Sequence, residues 1–201
     1  MTEPFRPSHE LAYHVRTGMA RTTTKATAAK LTILFHTQLG AAHVPFVRAN
    51  LRRAHALIKP PLRELSIALV NDARMAELHQ QFMNIPGPTD VLTFELEHDG
   101  RGNVTSGEVI VCVPEARRQA TERGVELRME LLLYALHGML HLCGFDDRTE
   151  RGFRTMHRRE DDILTALGFG PVFAPQTAHT PARTTRKRAA PRRPARQGGG
   201  R

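Results

Sequence analysis

Tryptophan is absent and tyrosine occurs twice, so aromatic side chains are only 5% of the 201 residues. Any core built from this sequence is aliphatic. Cysteine is equally scarce. Cys112 and Cys143 sit in apolar stretches with no spaced framework around them, which excludes a disulfide-stapled secreted scaffold and suits a reducing cytoplasm. No run approaches the ~18 apolar residues that a membrane-spanning helix needs. The N-terminal stretch has no apolar segment of the kind a secretory signal requires. Its Thr and basic content is shared with organelle transit peptides, which is the minor alternative. With 40% hydrophobic residues, the chain still suffices for the core of one domain.

Acidic residues are few at the N-terminal end and missing from the C-terminal end. Residues 171–201 hold eight basic residues and no acid, and residues 1–30 hold five basic and two acidic ones. Residues 31–170 therefore carry 16 basic and 18 acidic residues, a net charge of −2, although the whole chain is +9. The basic character belongs mainly to a tail rich in Pro, Arg, Ala, Thr and Gly, which cannot bury enough apolar surface to fold alone. Three segments follow: a flexible extension over 1–29, a folded domain over 30–170 and a disordered basic tail over 171–201. The tail has two readings, a solvated segment without function or an arm that adds salt-dependent, sequence-blind affinity for phosphates.

Within the domain, Leu31–Phe35, Leu65–Val70, Asp90–Leu96 and Glu108–Val113 read as strands. Apolar residues at helical spacing predict a helix over Val44–Ile58, stopped by Pro60-Pro61. A second helix ends at Met83, with Asn71 or Asp72 as its cap. After Pro114 the pattern is helical throughout: Pro114–Arg123, the long apolar stretch Glu126–Leu142, and an amphipathic stretch from about Thr149 to Leu167. Strands early and helices late argue an α+β fold.

The sharpest stretch is His137-Gly-Met-Leu-His141-Leu-Cys-Gly144-Phe-Asp-Asp147. Two histidines four apart on a helix face the same way, one turn apart, and can reach one metal. Gly144 can take a positive φ and end the helix, so that the returning chain brings Asp147 as third ligand. Three protein ligands leave a fourth tetrahedral position for water, the mark of a catalytic rather than a structural zinc site. Such an ion brings the pKa of bound water down toward ~7. The competing reading makes His137 and His141 core histidines satisfied by hydrogen bonds. Against it stands Gly138, which costs an otherwise apolar helix about 1 kcal/mol and needs a reason.

This stretch resembles the H-G-x-L-H-L-x-G-Y-D-H signature of the YbeY family of endoribonucleases. Pro88-Thr-Asp-Val-Leu-Thr-Phe94 is similar to that family's P-T-D-V-L-S-F, and Gly107-Glu-Val-Ile to its G-D-I-x-I. The resemblance runs over about residues 31–169 with the motifs in the family's order. It implies a small mixed β-sheet packed with helices, metzincin-like, with the metal site on a long helix. It also implies one Zn2+ per chain and a single-strand-specific, metal-dependent endoribonuclease in the cytoplasm. The activity would serve late 16S rRNA 3′-end maturation and ribosome quality control. Ribosomal RNA and the small ribosomal subunit would be its partners, with ribosomal protein S11 and the GTPase Era as further ones. Two positions depart from the pattern. Asp147 stands where the family has a third histidine, and Met83 stands where it has an arginine thought to act on RNA.

Other residues carry weaker expectations. Asp146 is either a partner of a ligating histidine or a solvated residue at a helix start, and Asp147 has a rival role as cap of the last helix. Cys143 reads as an inert thiol and His157 as a solvated surface residue, each with metal ligation as the alternative. Thr89 and Asp90 shape the turn into a strand or line an RNA cleft. Glu130 bonds to a site residue or pairs with Arg123. No residue is assigned as a protein base. A zinc peptidase is the main alternative activity, but such enzymes place a Glu directly after the first His as general base, and here that residue is Gly138. A non-catalytic RNA-binding assembly factor is the other.

Overall fold

The computed structural model describes residues 30–173. Segments 1–29 and 174–201 lie outside the described residues, and with them nearly all of the two terminal segments set apart by composition. Nine principal elements follow in order: β1 (Thr32–Thr37), α1 (Val44–Ile58), β2 (Glu64–Val70), α2 (Asp72–Met83), β3 (Val91–His98), β4 (Val104–Cys112), α3 (Val113–Arg123), α4 (Leu127–Leu142) and α5 (Glu150–Leu167).

The strands form one mixed sheet in the order β1-β2-β4-β3. β1 and β2 run parallel, as do β2 and β4, while β3 and β4 are an antiparallel hairpin. Helix α1 makes the first parallel crossover, and α2 with β3 makes the second, as parallel neighbours require. In the hairpin turn the Asp99 carboxylate accepts from the backbone N–H groups of Arg101 and Asn103. β4 begins at Val104, four residues before the expected start, because the Asn103 turn leads straight into pairing with His98. It ends one residue early, since Val113 already opens α3 with Pro114 in its first turn.

Alternation along the strands gives the sheet two faces. Ile33, Leu65, Ile67, Leu69, Val109 and Val111 join the main core with α1, α3, α4 and α5, whereas Ala68, Val70, Leu92 and Ile110 pack beneath Met75 and Leu78 of α2. Helix α4 is apolar on nearly every face and is accordingly buried from Glu130 to Leu142 except at His137 and His141. Each of its fully buried leucines contributes roughly 1.5–3 kcal/mol by leaving water. Its first buried position, Glu130, is 2% exposed. Among the described residues, no helix is long and apolar enough to cross a membrane.

Candidate metal centre

Helix α4 lies across β3 and β4, and its contact with the sheet explains Gly138. A Cβ at this position would sit 2.5 Å from Val109 Cγ1 and 3.0 Å from Thr93 Oγ1. The helix can approach the sheet this closely only without a side chain there. His137 and His141 flank the contact and are the two residues of the last turns of α4 that reach outward, with side chains 18% and 27% exposed. Gly144 then takes φ 87°, and the chain reverses into the segment that carries Asp147.

The three side chains named from spacing come together. His137 Nε2 lies 3.1 Å from His141 Nε2 and 3.5 Å from Asp147 Oδ2, and His141 Nε2 lies 3.8 Å from Asp147 Oδ1. They are the group of His, Cys, Asp or Glu side chains, among the described residues, whose ligand atoms all lie within 4.8 Å of one another. Tetrahedral zinc at ~2.0–2.1 Å from each donor separates the donors by about 3.3 Å, and the observed separations bracket that value.

The remaining ring nitrogens strengthen the fit. His137 Nδ1 is 2.8 Å from Glu160 Oε1, and His141 Nδ1 is 3.0 Å from the Phe145 carbonyl oxygen. A carboxylate and a carbonyl only accept, so each Nδ1 carries a proton, and in the neutral rings each Nε2 presents a lone pair. Two lone pairs facing each other at 3.1 Å repel unless a proton or a metal cation lies between them. A divalent ion with an affinity for imidazole and carboxylate fits this donor set. Burial lowers the pKa of His137, but the hydrogen bond and charge of Glu160, with the charges of Asp147 and Asp90, outweigh it and hold the pKa above the usual value.

Two cavities, of about 620 and 740 Å³, meet at His137, with Asp90, Phe153 and His157 shared between them. The larger also contains His141, Asp147, Arg148 and Met83. Met83 is 48% exposed there, so the position that holds an arginine in the family pattern does face the cleft and brings no charge to it. Thr89 and Asp90 shape the turn into the strand, as one of their two expected roles required. The Asp90 carboxylate accepts from Thr89 Oγ1 and from the Val91 N–H, which fixes the entry into β3, and both residues line the smaller cavity.

One expectation changes, and the structure selects among the alternatives of several others. His157 is not a solvated surface residue: its side chain is 16% exposed, stacked on Phe173 with ring centroids 3.9 Å apart, and its Nδ1 donates to Glu160 at 2.6 Å. The cap of α5 is Thr149, which accepts from the Gly152 N–H, so the rival capping role for Asp147 falls away. Asp146 is 55% exposed and pairs with Arg148, the solvated alternative. Glu130 pairs with Arg123 at 3.1 Å without forming a directed hydrogen bond, and burial raises its pKa against the opposing charge of Arg123. Burial pushes the Cys143 thiol up to about 12, and Cys143 stands outside the ligand group.

Sequence reasoning missed Glu160. It lies 23 residues beyond His137 among charged neighbours and looks like surface. The available signal was its phase: Met156, Glu160, Ile163, Leu164 and Leu167 form one buried stripe of α5, and a carboxylate in such a stripe needs partners.

Residues 41–168 match the protein family described as endoribonuclease YbeY. The endoribonuclease YbeY of Moorella thermoacetica is 40% identical over 114 residues, which cover 52% of this chain and 73% of that protein. That of Geobacillus thermodenitrificans is 32% identical over 141 residues, covering 65% and 90%. A Thermotoga maritima protein of known solution structure aligns over 68% of this chain and 92% of its own, at 26% identity and a TM-score of 0.49.

Proposed function

The chain belongs to the endoribonuclease YbeY family, hydrolases that act on RNA, and on that premise we propose that it is a single-strand-specific endoribonuclease dependent on one zinc ion held by His137, His141 and Asp147. The observation that carries the reading is the convergence of two bare Nε2 atoms and a carboxylate at the junction of two cavities. A bound divalent ion supplies an acidified water and polarises a phosphoryl oxygen. The chain's own residues would hold that ion. Glu160 and the Phe145 carbonyl fix the two rings, and Asp147 closes the third side. The cavities on either side of His137 give room for the nucleotides that precede and follow the cut. No protein base is assigned. Arg148 and Arg123, one in each cavity and paired with Asp146 and Glu130, are the guanidinium groups that line the cleft, where Met83 offers none.

In this reading the substrate is a small-subunit ribosomal RNA precursor in the cytoplasm, cut in late 16S rRNA 3′-end maturation and in ribosome quality control. Ribosomal protein S11 and the GTPase Era are its further partners. The support for these finer assignments is family membership.

Proteolysis is disfavoured by the packing at Gly138. A glutamate in that place would drive its Cβ into Val109. Purified protein assayed with and without chelator, on a small-subunit RNA precursor and on casein, tests the reading. RNA cleavage abolished by chelator and restored by zinc is expected, with casein intact. Cleavage that survives chelation would remove the metal from the reaction, and cut casein would revive the peptidase.

A further inference from the structure

Glu160 is completely buried, at 0% exposure, yet its carboxylate meets two imidazoles and no cationic side chain from Lys or Arg among its hydrogen-bond partners. Oε1 takes His137 Nδ1 at 2.8 Å, and Oε2 takes His157 Nδ1 at 2.6 Å. A buried carboxylate is costly unless its oxygens are satisfied, and here each oxygen serves one ring. The second ring is held independently. Phe173 stacks on it, Phe153 sits edge-on with centroids 4.0 Å apart, and the Asp161 carboxylate accepts from the backbone N–H groups of Val172 and Phe173 to keep that stack in place.

We infer that Glu160 is a positioning residue that fixes the tautomer and orientation of two histidines at once, the metal-facing His137 and the cleft-lining His157. The inference rests on the metal reading proposed for His137, His141 and Asp147. With both Nδ1 protons committed to Glu160, His137 turns a bare Nε2 toward His141 and Asp147. His157, which lines both cavities, keeps its Nε2 for whatever enters them. A ligating histidine whose second nitrogen is held by a carboxylate gains basicity and a fixed direction, and loss of such a partner typically weakens metal binding 10–100-fold. His157 widens the role of Glu160, because one carboxylate orients a ligand and a non-ligand together.

Glutamine in this place gives a sharp test. It has the same shape but one accepting oxygen and one donating amide, so it can accept from only one ring and must donate to the other. In Glu160→Gln, long-range 1H–15N spectra of the zinc-free protein are expected to show one of the two rings switched to the Nε2–H form, where the parent shows both as Nδ1–H. In Glu160→Ala, competition with a chromophoric chelator is expected to show zinc affinity lowered 10–100-fold. A purely structural Glu160 would lower the melting temperature and move neither readout. Both rings unchanged in Glu160→Gln would overturn the inference, as would parental zinc affinity in a folded Glu160→Ala. If Glu160→Ala does not fold, the glutamine spectra decide alone. If the parent protein binds no zinc, the metal reading fails while the zinc-free spectra still judge Glu160.

Discussion

Asp147 brings a negative charge where the family motif has a neutral imidazole. A His2Asp set is a harder, more anionic site than three histidines, so it accepts oxygen-preferring ions such as manganese more readily. Asp147→His is expected to keep one zinc per chain and to shift the preference toward zinc over manganese by about tenfold, read by competitive metal titration. An unchanged preference between zinc and manganese in that variant would mean that the chain does not bring residue 147 to the ion. The cysteines make an independent check on the same region. Burial pushes both the Cys112 and Cys143 thiols up to about 12. A thiol reacts as its thiolate, and at pH 8 that form is of order one part in ten thousand for such a group. Native protein at pH 8 is expected to resist thiol-specific alkylation at both positions until denaturant is added, as mass spectrometry would show. Fast labelling of Cys143 in the native state would contradict the packing at the end of α4.

At the scale of elements, the helix that carries the ligands is set by its contact with the sheet. Gly138→Ala gains helix propensity of about 1 kcal/mol, but it places a methyl 2.5 Å from Val109 Cγ1. Overpacking of this kind costs roughly 1–3 kcal/mol. A net loss of stability in denaturant melts is therefore expected, with weaker zinc binding because His137 moves with the backbone. A variant more stable than the parent would show that α4 stands off the sheet. The elements were largely legible in the sequence where period and punctuation agree. α1 runs over Val44–Ile58 as its spacing predicts, and Gly124 and Gly168 end α3 and α5. β4 was less legible. Val104–Gly107 mixes polar and small residues, and only the hairpin register with β3 brings them into the sheet.

Along the whole chain the charge is uneven: residues 31–170 carry a net −2, and residues 171–201 hold eight basic residues and no acid. If residues 174–201 act as an arm for phosphates, a chain ending at Phe173 is expected to keep its melting temperature and zinc. Its affinity for single-stranded RNA would fall, and the salt dependence would flatten by ~0.7 in log–log slope for each phosphate that the arm had neutralised. An unchanged slope would leave the tail as a solvated segment. The same scale separates what spacing reveals from what it hides. His137, His141 and Asp147 lie within eleven residues, so local helix geometry and one turn predict their meeting. The partnership of Glu160 with His137 and His157, and the place of Met83 in the cleft, depend on how distant elements pack. No local period encodes that packing.

The most direct test of the metal centre is the metal content of purified protein beside His141→Ala, measured by elemental analysis after equilibration with zinc and removal of free ion. One zinc per parent chain and none in the variant is the predicted result. Full metal retention in a folded His141→Ala protein would contradict the site.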